Sequence, residues 1–222
     1  MKYITFLLLI LILTACGSSG TAAIQSPTPT PIAATSTRIL IIGGQTSLRW
    51  EPVVAEQMAG IATVMHAYLA TPQPTGIQAQ DGNDGNTTMI AENIDTWMQT
   101  KYAFVHVGAS LDIDPCHPAS MNTTVTEYVA NLRYTMQVIK AAGAVPIFDT
   151  IIAERCHSND KAIEYNTAAV AEMVSDGVKV DDLYSILIQN PAYFDAGGNI
   201  TSDGVTALAD SVVQSFGYIP YE

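Results

Sequence analysis

The sequence predicts an α/β protein, a three-layer α/β/α sandwich built on a parallel sheet of about five strands. Short apolar runs, such as residues 39–42 and 104–107, alternate with segments whose apolar residues recur at helical spacing. Strands that alternate with helices form a parallel sheet covered on both faces. In such sheets ligands bind at the carboxyl ends of the strands, so the loops at that edge are the candidate site.

The predicted strands are short and apolar. Ile39-Leu40-Ile41-Ile42 is continuously apolar and ends in Gly43-Gly44, which is typical of a strand buried on both faces. The later strands are expected at residues 61–68, 104–107, 144–148 and 178–180.

The predicted helices follow from periodicity and capping signals. Pro52 suits a first helical turn and predicts a helix to about Met58. Thr87 or Thr88 can cap a second helix, because Ile90 and Ile94 continue it on one face. A third helix, ending at Gly143, is expected to align Tyr128, Leu132, Met136 and Ile139 on one face. Further helices are expected over 160–175 and over 203–216.

Composition restricts the class of partner. The chain has 222 residues, of which 48% are hydrophobic and 14% charged, as in well-packed globular proteins. Nine basic against 21 acidic residues give a net charge of -12, so no groove for nucleic acid is expected. We also expect no cofactor. The length left after an export segment and tether fits one domain, over residues 38–219.

The N-terminus predicts export and lipid attachment. Lys2 precedes an apolar run from Ile4 to Leu13, which is the pattern of a secretory signal over residues 1–15. Leu13-Thr14-Ala15-Cys16 resembles a bacterial lipobox, which implies acylation of Cys16 and anchoring to an envelope membrane on its extracytoplasmic side. The alternative is an ordinary signal peptide with a leftover cysteine. Residues 16–37, rich in Pro, Ser and Thr, read as a tether.

Four spaced segments carry a family resemblance over nearly all of residues 38–216. They are Ile-Leu-Ile-Ile-Gly-Gly-Gln-Thr-Ser at 39–47, Gly-Asn-Asp-Gly-Asn-Thr-Thr at 82–88, Val-His-Val-Gly-Ala-Ser-Leu-Asp at 105–112 and Ser-Asp-Gly-Val-Thr at 202–206. In order and spacing they resemble the blocks of the SGNH/GDSL ester hydrolases. The resemblance implies a flavodoxin-like sandwich and a catalytic site at the carboxyl edge of the sheet.

The same resemblance implies that the catalytic groups have been replaced. Gln45 stands at the nucleophile position and Thr206 at the base position, and neither a carboxamide nor a threonine can do that work near neutral pH. Asp203 remains at the position of the orienting acid. Gly85 and Ser110 stand at the oxyanion positions, where the family has a glycine and an asparagine.

A displaced catalytic pair is the alternative. Ser47 lies two residues past the nucleophile position, far enough for its side chain to point elsewhere. His66 and His106 belong to predicted strands and are expected to be core histidines. His117 and His157 lie on loops at the ligand edge, and this leaves them as the plausible bases for Ser47 or Ser110.

Two Cys-His dipeptides follow the third and fourth strands. The exported compartment favours a Cys116–Cys156 disulfide, and the alternatives are free thiols or a metal site formed with His117 and His157. Acids near the same edge, including Asp112 and Asp149, are expected to be solvated loop residues.

The leading expectation is therefore a membrane-tethered envelope protein without the esterase triad, acting as a binding pseudoenzyme. Its expected ligand is an acylated or glycan small molecule. An active esterase that uses a displaced serine and a purely structural envelope protein are the alternatives.

Overall fold

The structure is a computed structural model and describes residues 37–67, 86–109, 112–113, 123–152 and 159–217. The predicted signal segment, the lipidation site Cys16 and the tether lie outside the described residues, apart from Thr37.

Five parallel strands form one sheet. They are β1 (Thr37–Ile42), β2 (Ala62–His66), β3 (Phe104–Val107), β4 (Val145–Asp149) and β5 (Lys179–Asp181), in the order β2-β1-β3-β4-β5. Ile41 of the central strand β1 pairs with His66 on one side and His106 on the other. The predicted parallel sheet of about five strands is confirmed, and all its carboxyl ends lie at one edge.

Helices cover both faces of the sheet. They are α1 (Gln45–Gln57), α2 (Thr87–Trp97), α3 (Val125–Ala141), α4 (Asn159–Ser175), α5 (Leu183–Ile188) and α6 (Ser202–Ser215), with a short 3₁₀ turn at Pro191–Tyr193. The sequence analysis missed α5 because six residues are too few to show a helical period. The carboxylate of Asp182 caps this helix by accepting a hydrogen bond from the backbone N–H of Ser185.

The sheet separates two hydrophobic cores. Leu40 and Ile42 of β1 belong to the core beneath α2, α3 and α4, whereas Ile39 and Ile41 belong to the core beneath α1 and α6. All four side chains are at most 2% exposed, as expected for a central strand covered on both sides. The three-layer prediction is thereby confirmed.

The predicted start of the first helix is wrong. α1 begins at Gln45, directly after β1, and Pro52 lies inside it rather than at its first turn. The buried residues Ser47, Trp50 and Val54 recur at helical spacing. Burial of this face stabilises the helix, so that it continues past Pro52. Pro52 itself is exposed, so its ring does not disturb the core.

The cap of α2 also differs from the prediction. Asn86, not Thr87 or Thr88, is the N-cap, because its side chain accepts a hydrogen bond from the backbone N–H of Met89. Thr87 is buried and instead contacts the loop that follows β3.

Within the described residues, no helix combines the length and the apolar character that a membrane crossing requires.

Pro52→Ala tests where α1 begins. A proline inside a helix removes one backbone hydrogen bond, so the substitution is expected to raise the free energy of unfolding by about 1–3 kcal/mol in urea denaturation. The exposed Glu56→Ala in the same helix is the control and should change it by less than about 0.5 kcal/mol. A loss of stability in Pro52→Ala would place the helix start at Pro52 after all.

Candidate functional site

The candidate site is the edge where β1, β3 and β4 end. Gly43 and Gly44 follow β1, Gly108 follows β3, and Asp149 is the last residue of β4. Gln45, the predicted counterpart of the nucleophile, begins α1 at this edge, and its side chain is exposed.

Ser47 lies beneath this edge and contacts a histidine. Its Oγ is 2.7 Å from Nε2 of His66 at the end of β2, and both residues are buried, at 5% and 6% exposure. Ser47 is the third residue of α1, and its side chain lies below the turn formed by Gly43 and Gly44. The prediction that only His117 and His157 could serve Ser47 as a base is therefore wrong.

The hydrogen bonds of His66 fix its tautomer. Nδ1 is 2.8 Å from the carbonyl oxygen of Ala67, which can only accept, so Nδ1 carries the hydrogen. Burial lowers the pKa of His66, although the hydrogen bond with Ala67 acts the other way, and the ring is neutral near pH 7. Nε2 then accepts from the Ser47 hydroxyl, as a general base would.

The space around Ser47 is too small for a substrate. Ser47 lines a cavity of about 20 Å³, together with residues such as Gly108 and Asp149. That volume is close to the minimum that holds one water molecule. The Ser47 hydroxyl also lies 2.6 Å from the carbonyl oxygen of Gly44, which competes with His66 for its hydrogen. The pair therefore has the spacing of a nucleophile and base, and the residues described around it leave space for about one water at the Ser47 oxygen.

Interior side chains fill the ends of both central strands. A Cβ placed on Gly43 would lie 2.6 Å from Ser47 Oγ, and one placed on Gly108 would overlap the Asp149 carboxylate. Neither glycine can therefore be replaced without moving the side chain beneath it.

The expectation that Asp112 and Asp149 are solvated loop acids is wrong. They are 2% and 7% exposed. Asp112 accepts hydrogen bonds from the backbone N–H and hydroxyl of Thr87, at 2.8 and 2.9 Å, and so joins the loop after β3 to the start of α2. Asp149 is the last residue of a strand, and strand alternation turns its side chain toward the core beneath α1.

Asp149 belongs to a buried charged cluster centred on His106. Nε2 of His106 lies 3.0 Å from Asp181, and Nδ1 lies 3.4 Å from Asp149. Ser211 of α6 donates to Asp181 at 2.5 Å, and the ring of Trp50 meets the His106 ring edge-on at 5.6 Å between centroids. His106 is a core histidine, as expected, but its partners are two carboxylates.

The pKa values of Asp149 and His106 are both raised in this cluster. Burial raises the pKa of Asp149 to about 7, although the charge of His106 acts against this rise. Burial alone would lower the pKa of His106, but the hydrogen bond with Asp181 and the charges of Asp181 and Asp149 outweigh it and raise that pKa. The folded cluster therefore holds protons that the unfolded chain releases.

The predicted counterparts of the acid and base lie on α6. Asp203 and Thr206 are both exposed, and the Thr206 hydroxyl donates to the carbonyl oxygen of Ser202 within its own helix. Arg49 of α1 donates to the carbonyl oxygen of Ile200 at 2.5 Å, which places the segment before α6 beside the second turn of α1. Asp203 and Gln45 thus begin neighbouring helices.

Several predicted site residues lie outside the described residues. They are Gly85, Ser110 and the two Cys-His dipeptides, Cys116-His117 and Cys156-His157. The strands before the dipeptides, β3 and β4, are neighbours in the sheet, as the disulfide prediction requires. Among the described residues, no group of three or more His, Cys, Asp or Glu side chains is arranged to hold a metal ion.

The sequence did contain a signal for the Ser47–His66 contact. Consecutive strands joined by one helix are usually neighbours, so the end of β2 should lie beside the turn after β1. His66 ends β2 and Ser47 follows β1, and this places the two side chains at adjacent strand ends. The predicted fourth strand ends at residue 148, one residue before the end of β4, and this places Asp149 in a loop instead of the strand.

Asp149→Asn tests the buried cluster. The unfolded chain loses this proton near pH 3.8 and the folded chain near pH 7, so the free energy of unfolding should fall as pH rises from about 4 to about 7. The rise in pKa corresponds to at most roughly 4 kcal/mol. We expect urea unfolding at successive pH values to give a flatter curve for Asp149→Asn than for the native chain.

The matched control for this experiment is Asp160→Asn, since Asp160 is an exposed aspartate at the start of α4. Its pH curve should follow that of the native chain. Equal slopes for all three proteins between pH 4 and 7 would contradict a raised pKa at Asp149.

Several solved structures with a similar fold are named as lipases, acylhydrolases or esterases. The chain resembles the lipase/acylhydrolase from Enterococcus faecalis with a TM-score of 0.62 and 15% identity, over 84% of this chain and 99% of that one. It resembles a GDSL-like lipase from Bacteroides thetaiotaomicron with a TM-score of 0.60 and 11% identity, over 82% and 88%. A carbohydrate esterase family 3 protein from Talaromyces cellulolyticus gives 0.59 and 19%, over 81% and 96%.

No protein-family model matches the sequence, and no curated protein is significantly similar to it. At identities of 9–19% the similarity to solved structures concerns the fold. The five-stranded parallel sheet, the helices on both faces and these neighbours agree, and the chain has the fold of the SGNH/GDSL hydrolases.

Proposed function

We propose that this chain is an exported, membrane-tethered binding protein that keeps the SGNH/GDSL fold without its ester hydrolase activity. The observation that carries the proposal is the chemistry at the two positions where the block alignment expects a nucleophile and a base. Gln45 offers an exposed carboxamide, and Thr206 offers a hydroxyl already bonded within α6. The carboxamide at the nucleophile position cannot be activated to attack an ester carbonyl, and the hydroxyl at the base position cannot accept a proton near neutral pH.

The names of the structural neighbours motivate the proposed ligand class. They are named as a lipase/acylhydrolase, a GDSL-like lipase and a carbohydrate esterase. The walls of a binding cleft can persist after the catalytic groups are lost, so we propose an acylated or glycan small molecule as the ligand.

The Ser47–His66 pair supports a second candidate, an esterase with a displaced nucleophile. The 2.7 Å contact and the tautomer of His66 favour it. The cavity of about 20 Å³ weighs against it, because the carbonyl carbon of an ester must approach Ser47 Oγ to about 3 Å. In the binding protein the pair has a structural role and connects α1 to the end of β2.

An activity assay decides between the two candidates. We expect the purified full chain to show no turnover of p-nitrophenyl acetate or butyrate above Ser47→Ala, and no labelling by a serine-reactive fluorophosphonate. A neutral serine without access to the probe cannot form the covalent adduct. Turnover or labelling that disappears in Ser47→Ala and persists in the exposed Ser202→Ala would establish the displaced esterase instead.

Membrane attachment is proposed through Cys16, with a disulfide between Cys116 and Cys156 that rigidifies the ligand edge. Acyl chains contribute about 0.8 kcal/mol per buried CH₂, and several of them anchor a protein stably. The adjacency of β3 and β4 supports the disulfide, and a metal site or free thiols at the Cys-His pairs remain the alternatives.

One mass-spectrometric experiment tests both modifications. The mature chain isolated from membranes should begin at an acylated Cys16, and a nonreducing digest should link the peptides of Cys116 and Cys156. Cys16→Ser should release the protein from the membrane fraction. An unmodified Cys16 would contradict the anchor, and free thiols at both other cysteines would contradict the disulfide.

A further inference from the structure

A groove lies between α4 and the β5–α5 segment, next to the candidate site. Its volume is about 480 Å³, against about 20 Å³ for the cavity at Ser47, and Thr150 lines both. Small-molecule sites typically measure about 300–1,000 Å³. We call it the α4–β5 groove and define it by its lining residues: Thr150, Ile163, Asn166, Thr167, Val170, Ala171, Val180, Asp182, Tyr184 and Ser185.

The polar side chains of helix α4 in the α4–β5 groove are hydrogen-bonded within the protein. Asn166 uses both ends of its amide on the backbone of Ile151, at 2.8 and 2.9 Å. The Thr167 hydroxyl donates to the carbonyl oxygen of Ile163 at 2.6 Å. These hydrogen bonds use the Thr167 donor and part of the Asn166 amide, which leaves these two side chains fewer groups for a ligand.

The opposite wall is similar. Asp182 accepts from the Thr150 hydroxyl at 3.0 Å and from the Ser185 hydroxyl at 2.6 Å. The backbone N–H of Ser185 also donates to Asp182, and that of Tyr184 donates to the Thr150 hydroxyl. The other lining residues are mainly apolar, and Tyr184 adds an aromatic ring with a hydroxyl.

The apolar surface lies along one face of α4. Ile163 is 49% exposed, and Val170 and Ala171 continue its face at helical spacing toward Val180. Exposed aliphatic side chains that line a concave groove gain free energy when an aliphatic chain covers them, at about 25 cal/mol per Å².

Charge restricts the head group of such a ligand. Among the described residues that line the groove, Asp182 is the one acidic residue and none is basic, and the whole chain carries a net charge of -12. A carboxylate or phosphate at the mouth would therefore be repelled. An uncharged polar head group is not subject to this electrostatic repulsion.

We propose that the α4–β5 groove binds a linear acyl chain attached to an uncharged head, of the monoacylglycerol type. This inference rests on the proposed binding function and moves its ligand site from the space above Ser47 to the groove beside it. The proposal is one of binding, and no histidine is among the lining residues of the groove that the structure describes.

Photolabelling of the full chain in membranes of the expressing bacterium tests the site. The probe is a monoacylglycerol with a diazirine in its acyl chain, and mass spectrometry locates the labelled peptide. We expect saturable labelling of α4 between Ile163 and Ala171. Ala171→Trp, which fills the groove from an exposed position, should reduce that labelling by about tenfold or more.

Two further variants make the test specific. Val174→Trp lies on the same helix, is 64% exposed and does not line the groove, so its labelling should stay within about twofold of the native level. Ile163→Glu introduces a charge into the lining and should reduce labelling as Ala171→Trp does. If Ala171→Trp and Ile163→Glu both reduce labelling, misfolding of one variant does not account for the loss.

The outcomes separate the two proposals. Saturable labelling at Gly43–Trp50 instead of α4 would overturn the groove and leave the binding function standing. The absence of saturable labelling anywhere on the domain, with glycan ligands also failing to shift its melting temperature, would overturn both. Equal labelling by a diazirine fatty acid would overturn the uncharged head group.

Discussion

The hydrogen bond between Ser47 and His66 joins the turn after β1 to the end of β2, and the interpretation of the ligand edge depends on it. The same 2.7 Å contact has the spacing of a catalytic pair and of a buried structural link. Spacing alone does not separate these roles, because a nucleophile must also meet its substrate. With both residues about 95% buried and room for about one water beside them, the contact holds α1 against the sheet.

The charged cluster around His106 gives the two faces of the sheet different characters. The core beneath α1 and α6 contains His106 with Asp149 and Asp181, whereas the buried acid on the other side, Asp112, accepts hydrogen bonds from Thr87 of α2. Buried charges are tolerated only when they are paired, and each acid of the cluster lies within reach of the imidazole. The cluster is therefore sensitive to the loss of any one member.

Much of the fold could be predicted from the sequence, because strands buried on both faces are continuously apolar. β3 was predicted to the residue, and the buried face of α3 was predicted from Tyr128 to Ile139. α1 was misplaced because Pro52 was read as a local start signal, whereas tertiary burial of Trp50 and Val54 outweighs it. α5 was missed because it is short.

The candidate site was less predictable, because its contacts join residues that are distant in the chain. Asp149 and Asp112 were expected in solvent, and their burial depends on partners 43 and 25 residues away, His106 and Thr87. The positions of Gln45 and Thr206 follow from the block pattern alone. Predicting the contact of His66 with Ser47 requires knowing that β2 pairs with β1. The rule that strands joined by one helix are neighbours predicts this pairing, whereas hydropathy does not.

The two glycines after β1 and β3 limit which substitutions this edge of the sheet can accept. Ser47 and Asp149 occupy the space beneath Gly43 and Gly108, so the protein's own side chains fill the space below this edge of the sheet. Placing a serine at position 45 would supply an attacking oxygen but leave that space unchanged. If hydrolase activity is absent as proposed, a serine at position 45 alone would not open this space, because Ser47 and Asp149 would still fill it.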